Sequence, residues 1–305
     1  MTTSQRSTAG NDVCASIGKG RSIAQHGELF QGQVGDADHK LRRCLVSLPC
    51  AYLYSQVEFL PDQSGSLRVD PHYKQKTLRV AELTLAHLSA THVYGNISIQ
   101  STIPEAKGYG SSTADCVAAA TAVADALGRS LDDEELAQLV VRAEVASDNF
   151  MFRRAVLFAH REGVVLEDYL KRLPKFEVLG IDTAPDSHVE TLSYPPAEYS
   201  WRQLQSFGTL MAALRRAISQ NDIALLARVA TASACINEEF LPKRLFREVR
   251  EIAAKSGALG VAVAHSGTVL SILLDPHDGL LEQKVDRIRA RLAALGISQT
   301  LRFQT

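Results

Sequence analysis

Residues 103–115 read IPEAKGYGSSTAD and place two glycines, three hydroxyls and a lysine within seven positions: Lys107, Gly108, Gly110, Ser111, Ser112 and Thr113. An alanine-rich stretch follows at once and runs to about Gly128. Small residues just before a helix let backbone approach a ligand closely. The first N–H groups of the helix have no partner inside it, and with the positive end of the helix dipole they suit a phosphate. A capped helix after a tight turn is the plainer alternative, since Ser and Thr are frequent N-caps. The lysine adds a cation, although an exposed loop lysine would look the same. No Gly-Lys-Ser/Thr triplet follows the glycines, so the loop is not a Walker A motif.

Two carboxylates stand downstream. Glu144 falls in the last turn of a predicted helix, where negative charge opposes the dipole, and a role in holding Mg2+ through oxygen would account for it. Asp148 lies just beyond, in SDNFMF, where a short loop can aim it at a substrate hydroxyl as base or orienter. The structural alternatives are a surface glutamate and an aspartate capping the next segment.

Positioning these groups requires strands and helices whose pattern is readable. Residues 1–18 are polar and aperiodic and read as a flexible tail. HGELFQG, at 26–32, reads as a loop between strands, followed by strands at 41–48, 52–60 and 67–70. Residues 74–90 carry helical periodicity, and 96–101 is the strand that feeds the glycine loop. Ser130 with Asp133 three residues on predicts an N-cap for a helix over 131–146. A strand at 176–183 precedes turn-rich residues 185–196, read as the join between two domains. Helices follow at 201–218, 223–235, 242–255 and 280–295. Strands at 259–264 and 269–274 flank His265, Ser266, Gly267 and Thr268 as a hairpin turn, and 298–303 closes the sheet. The order fits an α+β sandwich, a sheet with helices on one face.

The 305 residues suffice for two domains, and 46% hydrophobic with 22% charged residues is a soluble globular composition. A formal net charge of −1 and few aromatics argue against a nucleic-acid surface. No apolar run approaches the length of a membrane span. Five cysteines (Cys14, Cys44, Cys50, Cys116, Cys235) without metal-ligand spacing, and no apolar leader, point to a reduced cytoplasmic protein. Cys116 reads as a buried small residue.

The glycine loop resembles the phosphate loop of the GHMP kinases, through Pro104, Gly108, Tyr109, Gly110, Ser111, Ser112 and Thr113. With Lys107 before the glycines and Thr113-Ala114-Asp115 after the serines it is most similar to the L-threonine kinase branch, which serves cobalamin biosynthesis. HGELFQG, SDNFMF and KSGALGVAVAHSGTVLSILL (255–274) resemble further motifs of that branch, so the likeness spans 26–274. It implies an N-terminal GHMP ATP-binding α/β domain over 19–175, with helices laid over its sheet, and a ferredoxin-like sandwich over 176–305. It further implies ATP and Mg2+ as cofactors, Ser112 as the hydroxyl on Mg2+, and Asp148 with Lys107 as catalytic residues. The acceptor would be a small hydroxy amino acid, L-threonine first. His26, Gly27 and Glu28 would line its pocket, Glu28 meeting its ammonium group, and 265–268 would close over the loop or the substrate. His26, Gln25 and Ala24 depart from the branch pattern, which keeps serine, homoserine or another hydroxylated metabolite open as acceptor. A catalytically inactive nucleotide-binding regulator is the alternative outside enzymes. No nucleic-acid or membrane partner is expected, and the sequence is compatible with a homodimer.

Overall fold

The computed structural model describes residues 16–35, 38, 40–187 and 197–305. The predicted tail up to residue 15, Cys14 included, lies outside them, as do residues 188–196 of the predicted domain join.

β1 (Gly18–Gly35) and β2 (Leu41–Asp62) form a long antiparallel pair, and β4 (Tyr94–Ser101) continues the sheet on the far side of β2, with the short β3 (Leu67–Asp70) parallel to it at the edge. Residues 26–32, expected as a loop, are strand, and the two strands expected at 41–48 and 52–60 are one. The reason is bulging. Ile23 pairs with Tyr54 but Ala24 with Cys50, and further register shifts fall between Gln25 and Glu28 and between Glu28 and Phe30. Extra residues absorbed at a bulge keep the ladder going while turning side chains out of strict alternation. Gln25, His26 and Glu28 all sit in this irregular stretch.

Three helices cover the N-terminal strands: α1 (Gln75–His87), α2 (Ser111–Ala126) and α3 (Asp133–Glu144). Alanines let α2 lie almost on the backbone of β1. A Cβ on Gly18 would come 2.0 Å from the Ala122 carbonyl oxygen, and one on Gly20 would come 1.9 Å from that of Ala118. The cap of α3 is Asp132 rather than Ser130. Its side chain accepts from the Glu134 and Glu135 N–H groups, and Glu135 returns to the Asp132 N–H. Glutamate at the third position reaches back to the cap; the aspartate three residues after Ser130 is a methylene shorter. The hairpin of β5 (Val156–Ala159) and β6 (Val164–Asp168), which has no counterpart in the sequence reading, joins β2 at Leu45.

The remaining elements are β7 (Glu177–Asp182), α4 (Trp201–Gln220), α5 (Ile223–Asn237), α6 (Phe246–Lys255), β8 (Gly260–Val263), β9 (Val269–Leu274), α7 (Leu281–Ala294) and β10 (Leu301–Gln304). Their strand order is β10-β7-β9-β8, all antiparallel. Counted within this half it is 4-1-3-2, the order of a ferredoxin-like split βαβ unit. β8 meets β1 at the pair Glu28–Val263, so one sheet runs through the molecule. α4 and α5 pack over that junction, with Phe207 against Gly32 and Phe30, and Leu226 and Val229 buried in the same cluster.

The close seat of α2 on β1 is testable by filling it. Gly20→Val should lower unfolding free energy by about 2 kcal/mol or more in urea titration. The same change at Gly35, where an added Cβ meets nothing within 4 Å, should cost far less.

Candidate active site

The glycine loop ends in Gly110, which has a left-handed backbone (φ 72°) and caps α2 without a side-chain hydrogen bond. The first intrahelical bond is Ala114 N–H to the Gly110 carbonyl, at 2.9 Å. Ser111, Ser112 and Thr113 thus present N–H groups at the positive end of a 16-residue helix. Glycine is demanded at both loop positions. A Cβ on Gly108 (φ 96°) would meet the Ser266 carbonyl oxygen at 2.5 Å, and one on Gly110 would meet Asp148 Oδ2 at 2.6 Å. Tyr109 between them is an anchor: it is buried, and its carbonyl accepts from the Gln25 N–H at 3.0 Å. Pro104 is exposed where the chain leaves β4.

This loop walls a cleft of about 610 Å³ shared with Gln25, Tyr73, Lys74, Lys76, Glu144, Ser147, Asp148, His160, His265 and Ser266. The carboxylates converge there. Glu144 closes α3 and is buried, with Oε2 lacking a hydrogen-bond partner among the described residues. Its pKa is raised by burial and held down in part by the hydroxyls of Ser112 and Thr113 and the charge of Lys76, whose Nζ is 3.9 Å away. Val145 in a left-handed turn (φ 75°) ends α3 and starts the loop that carries Asp148. That loop is tied by Ser147 N–H to the His160 carbonyl (2.9 Å) and by Asn149 Oδ1, which accepts from Ser47 N–H (3.1 Å). Burial, then the charge of Glu144, pushes Asp148 up to about 7, with Gln25 opposing. Glu28, expected to line the pocket, is instead buried on the bulged part of β1 outside the cleft lining, and both its carboxylate oxygens lack hydrogen-bond partners among the described residues. Burial and the Asp148 charge raise its pKa well above the usual range, against a smaller pull from Ser47 and Gln25.

Lys74 escapes the sequence reading. Its Nζ bridges Asp115 Oδ2 (2.7 Å) and Glu105 (2.6 Å), and Asp115, fully buried in α2, also accepts from Ser55 Oγ at 2.6 Å. A lysine at the first position of a predicted helix carries no mark that it faces a cleft. Gln25, beside both Asp148 and Glu28, was equally invisible because its direction depends on the bulges.

Other expected contacts lie elsewhere. Lys107 Nζ donates to the carbonyls of Pro185 and Ser187 and does not line the cleft. His26 is fully buried rather than in the pocket. Its ring packs between Tyr109 (5.0 Å) and Phe303 (5.6 Å), its Nδ1 meets Ser271 Oγ at 2.7 Å, and burial lowers its pKa to about 4. Gly27 (φ 93°) abuts the Val263 backbone, joining β1 to β8. Gly267 and Thr268 back the glycine loop from behind: a Cβ on Gly267 would reach Gly108 Cα at 2.6 Å, and Thr268 N–H donates to the Lys107 carbonyl at 2.9 Å. His265 and Ser266 alone of that turn reach the cleft.

The arrangement matches known proteins. The GHMP kinases N terminal domain family matches residues 75–152, the span from α1 through the glycine loop to Asp148. The chain is 35% identical to an L-threonine kinase of Citrobacter freundii over 83% of its own length and 84% of the relative's. The chain belongs to the GHMP kinases. An L-threonine kinase of Salmonella typhimurium is 31% identical, with 88% and 86% covered. The homoserine kinase of Cytophaga hutchinsonii superposes with a TM-score of 0.67 over 94% of each chain, at 16% identity. As a GHMP kinase the protein is a phosphotransferase with an alcohol group as acceptor, and kinases of this family use ATP. No helix among the described residues is long and apolar enough to cross a membrane, and Cys44, Cys50, Cys116 and Cys235 are free thiols.

The crowded carboxylates fix the sign of a pH effect. A carboxyl whose folded pKa lies above its unfolded value keeps protons that the unfolded chain has lost, so stability falls as pH rises through that window. For Asp148 the window runs from 3.8 to about 7. Asp148→Asn should therefore melt higher than wild type at pH 8 and no higher near pH 4, by thermal unfolding without nucleotide. An equal shift at both would assign the effect to packing.

Proposed function

We propose that this GHMP kinase transfers the γ-phosphoryl group of MgATP to the side-chain hydroxyl of a small amino acid, with L-threonine as substrate. The observation that carries the reading is Asp148 Oδ2 pressed against Gly110 at an uncapped helix N-terminus, where a base and a phosphate cradle share one wall. The L-threonine kinase relatives support the choice of acceptor.

The residues fit the cofactor. Free N–H groups at Ser111 to Thr113 and the glycine backbone at 108 and 110 leave room and donors for a polyphosphate. Glu144, with an unpartnered Oε2 beside Ser112 and Thr113, supplies the hard oxygen donors that Mg2+ requires. Bound there, Mg2+ would offset the charge of the phosphates and of Glu144. The backbone of the loop holds the transferring group in place. Asp148, poised near neutrality, accepts the proton as the acceptor oxygen forms its bond to phosphorus and the bond from phosphorus to the ADP oxygen breaks. Glu28, buried near Asp148 and behind the cleft lining, is the acid proposed to meet the ammonium group of the acceptor. Lys74, held by Asp115 and Glu105, is the cation nearest in role to the one sequence reasoning gave Lys107. The protein is read as cytoplasmic, in keeping with its free thiols.

ADP release from MgATP against L-threonine, L-serine and L-homoserine, with the phosphorylated product confirmed by mass, tests the assignment. Turnover is expected with L-threonine. Turnover confined to another alcohol would move the specificity, and none with ATP bound would favour a binding protein. Asp148→Ala and Ser112→Ala should each lower kcat by about a hundredfold or more while keeping the fold. A near-normal rate in either removes that residue from the chemistry.

A further inference from the structure

Next to Asp148 the cleft changes character. His160, at the end of β5, and His265, after β8, both line it, with ring centroids 5.2 Å apart. His160 is 5% exposed, and its Nδ1 has no hydrogen-bond partner among the described residues. His265 Nδ1 faces Gln31 Oε1 at 2.8 Å, and Gln31 Nε2 donates to the Val263 carbonyl, which sets the amide so that its oxygen accepts from the ring. The charges acting on these two rings all have one sign. Arg43 and Arg161 act on both, and Lys243, whose Nζ sits on the Leu241 and His265 carbonyls at 2.7 and 3.5 Å, acts on His265. Lys243 has Glu238 as its own opposing charge. Burial and these cations lower the pKa of both imidazoles, that of His265 to about 4. Two neutral rings under positive charge form a place where an anion gains hydrogen bonds and field together.

Asp148 lines the same cleft, and Glu28 is buried near it, outside the lining residues. The cleft thus carries acid and imidazole side chains together, with the cations that act on the rings behind its lining. An acceptor that carries a carboxylate matches the two rings; a neutral sugar does not. The His160 carbonyl accepts from the N–H of Ser147, the neighbour of Asp148, so His160 is tied to the segment that carries the proposed base. In a β-hydroxy amino acid the hydroxyl and the carboxylate are likewise on neighbouring carbons.

We propose that His160 and His265, backed by Arg43, Arg161 and Lys243, form the subsite for the α-carboxylate of the acceptor. The proposal rests on the kinase reading above, which takes the acceptor to be an amino acid, and adds the groups that hold its carboxylate.

The test compares L-threonine with 1-amino-2-propanol, which keeps the hydroxyl and the amine and lacks the carboxylate. Wild type should favour threonine strongly in kcat/KM. His160→Leu should reduce that preference about tenfold or more, mainly through KM for threonine, because a charge-assisted hydrogen bond is lost. Arg161→Gln, at an exposed position safe for folding, should reduce it about threefold, and less at high salt. A preference unchanged in Arg161→Gln and in folded His160→Leu overturns the subsite and leaves the kinase intact. Wild type that phosphorylates no amino acid overturns both.

Discussion

The structure depends on a helix end left uncapped. At the start of α2 no side chain satisfies the backbone N–H groups, and the cap residue is a glycine held in a left-handed turn. Unpaired donors at a buried helix end are costly unless something arrives to meet them. The surroundings keep them available. Alanines seat the helix on Gly18 and Gly20 of β1, the Lys74–Asp115–Ser55 network clamps its first turns, and the β8–β9 turn supports the loop from behind. Each contact is spent on holding the donors in place rather than on satisfying them.

Around that end the protein gathers Glu28, Glu144 and Asp148, three carboxyl groups in partly or fully buried surroundings whose pKa values are raised by desolvation first and by a neighbouring carboxylate second. A fold selected for stability alone would pair them. Here they stand as an electrostatic deficit that a cation and an ammonium group would fill, which is the general form of a site that is stabilised by its ligands.

What could be read in the sequence was whatever chemistry is local. The glycine loop, its helix and the Asp148 segment are contiguous, and residue type and spacing carry their meaning. The 4-1-3-2 half was legible as alternating element types. Side-chain direction was not. His26 sits within a motif that looks ligand-facing, yet whether it points to the cleft or the core is decided by bulges in the β1–β2 ladder and by Phe303 near the end of the chain. Lys107 sits among the glycines, and its ammonium group turns to carbonyls at 185 and 187. Lys74 and His160 come to the site from segments whose local pattern is ordinary. In each case the deciding contact is distant in sequence, and no window of residues contains it.

The contact of Gly267 with Gly108, and of Thr268 with the Lys107 carbonyl, also has a meaning in time. The nucleotide loop is made early in synthesis, but the turn that supports it emerges only after α6 and β8. Until then Gly108 has no wall behind it, and β1 has no β8 partner at Glu28. A ribosome-bound chain carrying every residue of the family's N-terminal domain still holds an unfinished loop. The support of the nucleotide loop therefore arrives late, with the same hairpin that joins the two halves of the sheet, and a chain cut short before it lacks that support.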